Sequence, residues 1–170
     1  MKTKRLALCA LFAALTAICA WICVPVFDIA FTMQTFAIFL ALFLLDGKWG
    51  TVTILVYLLM GAVGLPVFSG FQGGFGVLLG VTGGYAWGFL VSGLVYWGIS
   101  AVSGKKPDFF AAVIAMLVCY LCGTVWYLIA YAGSASLWAV VLKCVVPYLI
   151  PDAAKLWLAY SLSIRLRKIL

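Results

Sequence analysis

Phe109-Phe110-Ala111-Ala112-Val113-Ile114-Ala115-Met116-Leu117-Val118-Cys119-Tyr120-Leu121-Cys122-Gly123-Thr124-Val125-Trp126-Tyr127-Leu128-Ile129-Ala130-Tyr131-Ala132 runs for 24 residues without a charged side chain. A helix of that length extends about 36 Å, more than the roughly 30 Å hydrocarbon core of a bilayer. The run is continuously apolar and does not alternate with period two, so it reads as a spanning helix and not as a barrel strand. The whole chain shares its character: 68% of 170 residues are hydrophobic and 9% charged. Soluble domains hold about 45–50% and about 25%. A small soluble fold leaves too much surface exposed to hide so much apolar area. The reading is an all-α integral protein of the cell membrane.

Working outward, breaks at prolines, glycine clusters and charges delimit five further runs. The six spans fall at about 6–24, 33–45, 49–64, 81–103, 109–132 and 138–164, forming one transmembrane domain over 1–170. The second and third are short for a full crossing and call for tilt, a covering of protein, or extension into their loops. Nine of the eleven basic residues then share one side: Lys2, Lys4, Arg5, Lys48, Lys105, Lys106, Arg165, Arg167 and Lys168. Positive charge marks the cytoplasmic side, which puts both termini inside and requires an even number of crossings. The basic start is too long in its apolar run for a signal peptide and reads as a retained first span.

The same counts narrow the chemistry. There is no His, and the only acids are Asp28, Asp46, Asp108 and Asp152. Metal clusters and paired-carboxylate catalysis therefore have little material, and the expectation is a protein that is not an enzyme and binds no metal or cofactor. No phosphate-cradling G-x-x-x-x-G-K-[ST] stretch occurs, so energy from ATP has to arrive through another chain. The basic residues lie at segment ends and not in a stripe, which argues against nucleic acid.

Between the third and fourth spans lies Gly64-Leu65-Pro66-Val67-Phe68-Ser69-Gly70-Phe71-Gln72-Gly73-Gly74-Phe75-Gly76-Val77-Leu78-Leu79-Gly80-Val81-Thr82-Gly83-Gly84-Tyr85. Dense glycine breaks helix, yet the segment is apolar and aromatic. Lipid cannot satisfy an irregular backbone, so the loop is expected to fold inward and line a cavity. The bland alternative is a tight crossover, and Gly76, Gly80, Gly84 and Gly88 repeat every four residues as helix contacts do. A second outer loop, Val24–Thr35, carries Asp28, Pro25 and uncharged polar groups; it is either a turn or a lid.

Asp152 and Lys155 are the sharpest pointer. They lie within Pro147-Tyr148-Leu149-Ile150-Pro151-Asp152-Ala153-Ala154-Lys155-Leu156-Trp157. Pro151 suggests a helix start, and an offset of three puts the pair on one face. Ionised groups at bilayer depth cost on the order of 2.5–3.5 kcal/mol each, and persist by pairing or by facing water and a ligand. Tyr148, Trp157, Trp126, Tyr127 and the glycine loop are candidate walls of a small-molecule pocket. Lys143, near the outer boundary, reads as a snorkelling residue without a ligand role. The cysteines, including Cys119-x-x-Cys122, read as packing residues. In the first span Ala10, Ala13, Ala14 and Ala17 form small-xxx-small pairs on which a partner helix could dock.

These motifs resemble the BioY family, the biotin-specific S components of energy-coupling-factor (ECF) vitamin transporters. The likeness covers nearly the whole chain: the alanine pattern, Phe31-Thr32-Met33-Gln34-Thr35-Phe36, Gly64–Phe68, Gly73–Tyr85 and Pro151-Asp152-Ala153-Ala154-Lys155. Gly80-Val81-Thr82-Gly83-Gly84 stands where relatives are expected to carry Gly-Pro-Thr-Gly-Gly. The resemblance implies a six-helix S-component bundle that captures biotin from outside. It also implies docking, through Ala10, Ala13, Ala14 and Ala17, on a membrane coupling subunit (EcfT) joined to two ABC-type ATPases. Asp152 and Lys155 match the family's acid and lysine. Gln72 and Tyr85 are the further polar candidates for biotin, and Phe71, Phe75 and Tyr148 the apolar ones. An S component for another small vitamin, or a proton-coupled secondary carrier using the buried pair, are the alternatives.

Overall fold

The structure, a computed structural model, describes residues 2–26, 29–104, 107–133 and 136–169. Asp28, Lys105 and Lys106 lie outside the described residues. The long apolar runs are helices: α1 Lys2–Trp21, α5 Gly83–Ser103 and α6 Phe109–Ala130. In a bilayer only a helix or a closed barrel satisfies its own backbone, and these sequences carry no period-two pattern. Local chemistry fixes the ends. Gly104, at φ 66°, stops α5 in a left-handed turn that glycine adopts without strain. Asp108 then starts α6, its Oδ1 accepting from the Ala111 N–H at 3.0 Å while Ser103 Oγ donates to Oδ2 at 2.6 Å.

The two short runs become α2, Gln34–Leu44, and α3, Asp46–Ala62, separated at Leu45 with Asp46 at φ 62°. At 11 residues α2 is about 16 Å long and cannot span hydrocarbon by itself. Covering by protein is the answer, since Ala37 through Phe43 are all buried and α2 forms the centre of the bundle. A helix apolar on every side belongs inside. Helices α1, α3, α5 and the last long helix, Val146–Leu166, surround it.

The last run departs from expectation. It divides into α7, Leu137–Cys144, and α8, Val146–Leu166, with a break at Val145. Pro147, in the first turn of α8, needs no N–H partner there. Pro151 is therefore inside the helix and not at its start. Its missing N–H and its ring leave the Pro147 carbonyl without a helical partner. Among the described residues, four segments are long and apolar enough to cross a membrane: Thr3–Trp21, Gly83–Ser103, Phe109–Ala130 and the combined Leu137–Leu166.

Glycines set the α5–α6 contact. A Cβ on Gly84 would stand 2.2 Å from Trp126 Cβ, and one on Gly123 2.4 Å from the Tyr85 ring. Gly88 also faces Cys119, whereas Gly76 faces open space, so the four-residue repeat serves packing only in its second half. On α1 the alanines divide as well. Ala13 and Ala17 are buried, while Ala10 and Ala14 are exposed. At 100° per residue the four straddle the edge of the buried face, so Ala13 and Ala17 pack within the chain and are not free for a partner.

At one end of the bundle Arg167 ties the C-terminus to the α2–α3 junction. Its guanidinium donates to the Phe43 carbonyl, with Nε at 3.0 Å, and Nη2 lies 3.1 Å from Asp46 Oδ1. Arg5 stacks over Trp49 at the start of α3, 5.9 Å from the ring centroid. At the opposite end, strands β1 (Cys23–Val26) and β2 (Ile29–Thr32) pair antiparallel between α1 and α2.

Candidate ligand cavity

Asp152, one turn past Pro147 on α8, sits three residues before Lys155, and both side chains turn into the bundle. They are 7% and 5% exposed. Lys155 Nζ stands 2.7 Å from Asp152 Oδ1, and Tyr120 from α6 donates its hydroxyl to Oδ2 at 2.5 Å. Nζ also donates to the Thr32 carbonyl at 2.6 Å and lies 3.6 Å from the centre of the Phe31 ring. Each buried charge is thus neutralised and hydrogen-bonded, the condition under which such groups survive in low dielectric.

Their capacity is not exhausted. A carboxylate offers about four lone-pair positions and an ammonium three protons. Among the described residues, partners use two of the four and two of the three, with the Phe31 ring face beside the remainder.

The pair lines a cavity of about 850 Å³ of unfilled space, its mouth included. Tyr85, Tyr120 and Tyr148 add polar tips; Phe39, Phe68, Phe89 and Met116 add apolar wall. The hairpin supplies Ile29 through Thr32, held by Lys155 and by Tyr148, whose hydroxyl donates to the Ile29 carbonyl at 2.5 Å. Tyr85 donates to the Cys144 carbonyl at 3.0 Å, closing the wall between α5 and α7.

The glycine loop folds inward in part. Phe68, Ser69, Val77 and Thr82 reach the cavity and Leu78 is buried. Its carbonyls are captured one after another. Trp21 Nε1 donates to Pro66 at 2.8 Å, Trp87 Nε1 to Leu78 at 3.2 Å, Tyr131 to Leu79 at 2.6 Å and Trp126 Nε1 to Gly80 at 3.1 Å. Side-chain donors thus do for this irregular backbone what neither lipid nor helix can.

Of the seven side chains singled out from sequence, Asp152, Lys155, Tyr85 and Tyr148 line the cavity together. Gln72, Phe71 and Phe75 do not. Gln72 is exposed in an adjoining groove with Gly73, Gly76 and Gly80. Phe71 is exposed and stacks on Trp21 at 4.9 Å, and Phe75 is exposed on the short helix α4, Phe75–Leu79. With φ at 70° on Gly70, 58° on Phe71 and 99° on Gly74, the loop reverses so that Phe71, Gln72 and Phe75 face outward while Phe68, Val77 and Leu78 point in. Trp126 holds the loop and Trp157 is exposed, so neither walls the cavity.

Sequence reading missed Tyr120 and Gln34. The signal for Tyr120 was present: Met116, Tyr120, Gly123, Thr124 and Tyr127 mark one inward face of α6 at spacings of three and four. Gln34, the first residue of α2, lines the cavity and donates Nε2 to the Tyr57 hydroxyl at 2.9 Å. That bond joins residues 23 positions apart and has no local signature.

A family model described as the BioY family matches residues 1–170. The chain is 36% identical to the probable biotin transporter BioY of Pyrococcus horikoshii, covering 98% of each chain. It is 35% identical to the biotin transporter BioY of Thermotoga maritima, covering 98% of this chain and 97% of the other. The crystal structure of the S-component for biotin from an ECF-type ABC transporter superposes with a TM-score of 0.84 at 24% identity, over 98% of this chain and 92% of that one. Another S component of a bacterial ECF transporter gives 0.58 at 14% identity. These two likenesses show a shared fold.

Proposed function

The chain belongs to the BioY family, and from that premise we propose that it captures biotin and carries it inward as the substrate-binding component of an ECF transporter. The observation that carries the reading is the Asp152–Lys155–Tyr120 cluster on the wall of an otherwise apolar cavity. Biotin offers a cyclic urea with two N–H donors and a carbonyl, a thioether ring, an aliphatic chain and a carboxylate. Asp152 accepts a ureido N–H on a lone pair not used by Lys155 or Tyr120, and Lys155 donates to a nearby ligand oxygen. Tyr85 and Tyr148 line the same chamber. No cofactor enters this scheme; biotin is the cargo.

The chain forms one transmembrane unit with six crossings and both termini in the cytoplasm. Supporting this, Arg5, the α2–α3 junction and Arg167 gather at one end of the bundle, where the positive-inside tendency expects them. The cavity and the hairpin lie toward the other end. The sequence has no phosphate-cradling motif, so hydrolysis comes from two ABC-type ATPases through EcfT, which docks on the exposed Ala10 and Ala14.

Equilibrium binding to the purified chain tests this, with desthiobiotin and thiamine as comparisons. Biotin is expected to bind and thiamine not. Asp152→Asn or Lys155→Met is expected to weaken biotin at least about tenfold, the scale of a buried charge-assisted hydrogen bond. Unchanged affinity in both folded variants would defeat the assignment.

A further inference from the structure

Asp152 alone leaves the urea half recognised. The two N–H bonds of a five-membered cyclic urea diverge on either side of its carbonyl, so one carboxylate accepts only one of them. A site selective for this ring needs a second acceptor, fixed in place and unable to reverse its role. Hydroxyls do not meet that condition, because they rotate between donor and acceptor.

Gln34 does. Gln34 lines the cavity two residues beyond Thr32, whose carbonyl lies 2.6 Å from Lys155 Nζ, so it shares the wall with the charged pair. The Tyr57 hydroxyl gives its one proton to the Val67 carbonyl at 2.9 Å, and a carbonyl can only accept. The Tyr57 oxygen is left as an acceptor, and Gln34 must turn its NH₂ toward it, at 2.9 Å. The amide oxygen is thereby set on the other side, with no hydrogen bond to another described residue. Tyr57 is itself immobile: it is fully buried, and the Phe68 ring stands edge-on to it at 5.6 Å. Phe68 fits there because position 61 is glycine, where a Cβ would come within 2.0 Å of the ring.

We propose that Gln34 is the second urea-reading residue of this cavity, its oxygen accepting the N–H that Asp152 does not. Tyr57 is the positioning residue that fixes the amide's sense without touching the ligand. The inference rests on the biotin reading above and deepens it.

The test uses biotin and two cyclic carbamate analogues, each with oxygen in place of one ureido N–H and therefore no added bulk. Wild type is expected to bind both analogues more weakly than biotin. Gln34→Met should weaken biotin about tenfold and cease to discriminate against one analogue while still discriminating against the other. Tyr57→Phe, which removes a single oxygen, should reduce discrimination against that same analogue to within about threefold. Thermal unfolding of each variant checks that it is folded. Biotin affinity in Gln34→Met within about twofold of wild type, or an equal loss toward all three compounds, would overturn the proposal and leave the biotin reading standing. A wild-type chain that binds none of the three would overturn both.

Discussion

Asp152 carries two partners of unlike kind, and their removal has unlike consequences. Lys155 neutralises its charge through Oδ1, while Tyr120 supplies a hydroxyl proton to Oδ2. Taking away the hydroxyl leaves a buried anionic oxygen short of one donor, a loss of about 1.5–3 kcal/mol for a hydrogen bond to a charged group. Tyr120→Phe is accordingly expected to lower the thermal midpoint of the detergent-purified protein and to weaken biotin about tenfold, because Asp152 then turns toward Lys155. Calorimetric titration alongside a melt checks both. A variant unchanged in both would show that Tyr120 only abuts the carboxylate. A tyrosine in an apolar span ordinarily reads as core; only its juxtaposition with a residue 32 positions away gives Tyr120 chemistry.

At the scale of elements, the glycine repeat through the outer loop serves two purposes that spacing alone does not separate. Gly84 lies against Trp126, and a methyl group there would stand 2.2 Å from Trp126 Cβ. Helices α5 and α6 would have to part. Gly84→Ala is expected to cost about 1–3 kcal/mol through overpacking, read as a fall in thermal midpoint. Gly76→Ala, on the face of α4 where a Cβ meets open space, is expected to leave the midpoint unchanged. Equal melts for the two would refute the close approach of α5 and α6. The expectation of an inward-folded loop suits Phe68, Ser69, Val77 and Thr82 but not Phe71, Gln72 and Phe75. Composition favours a protein-covered backbone; which side chains face in depends on the reversals at Gly70 and Gly74, φ of 70° and 99° that the letter G permits without specifying.

At the scale of the whole molecule, α1 has an inner and an outer alanine pair. Ala14→Trp adds bulk to an exposed face and is expected to leave biotin binding in detergent intact while reducing uptake by the assembled transporter. Ala17→Trp forces an indole into the core and is expected to destabilise the chain by about 1–3 kcal/mol or more. Comparing uptake with binding for both variants checks the division; normal uptake with Ala14→Trp would remove that face from the docking surface. The membrane class, the approximate positions of the helices and the buried pairing of Asp152 with Lys155 were legible in the sequence alone, because they follow from local quantities: run length, charge position, and the cost of ionised groups among apolar neighbours. The α7–α8 break at Val145, the central burial of α2 and the presence of Tyr120 and Gln34, and not Gln72, Phe71 and Phe75, on the cavity wall were decided by the tertiary structure. Those outcomes depend on which faces meet across the bundle, and contacts such as Tyr148 to Ile29 or Lys155 to Thr32 join residues more than a hundred positions apart.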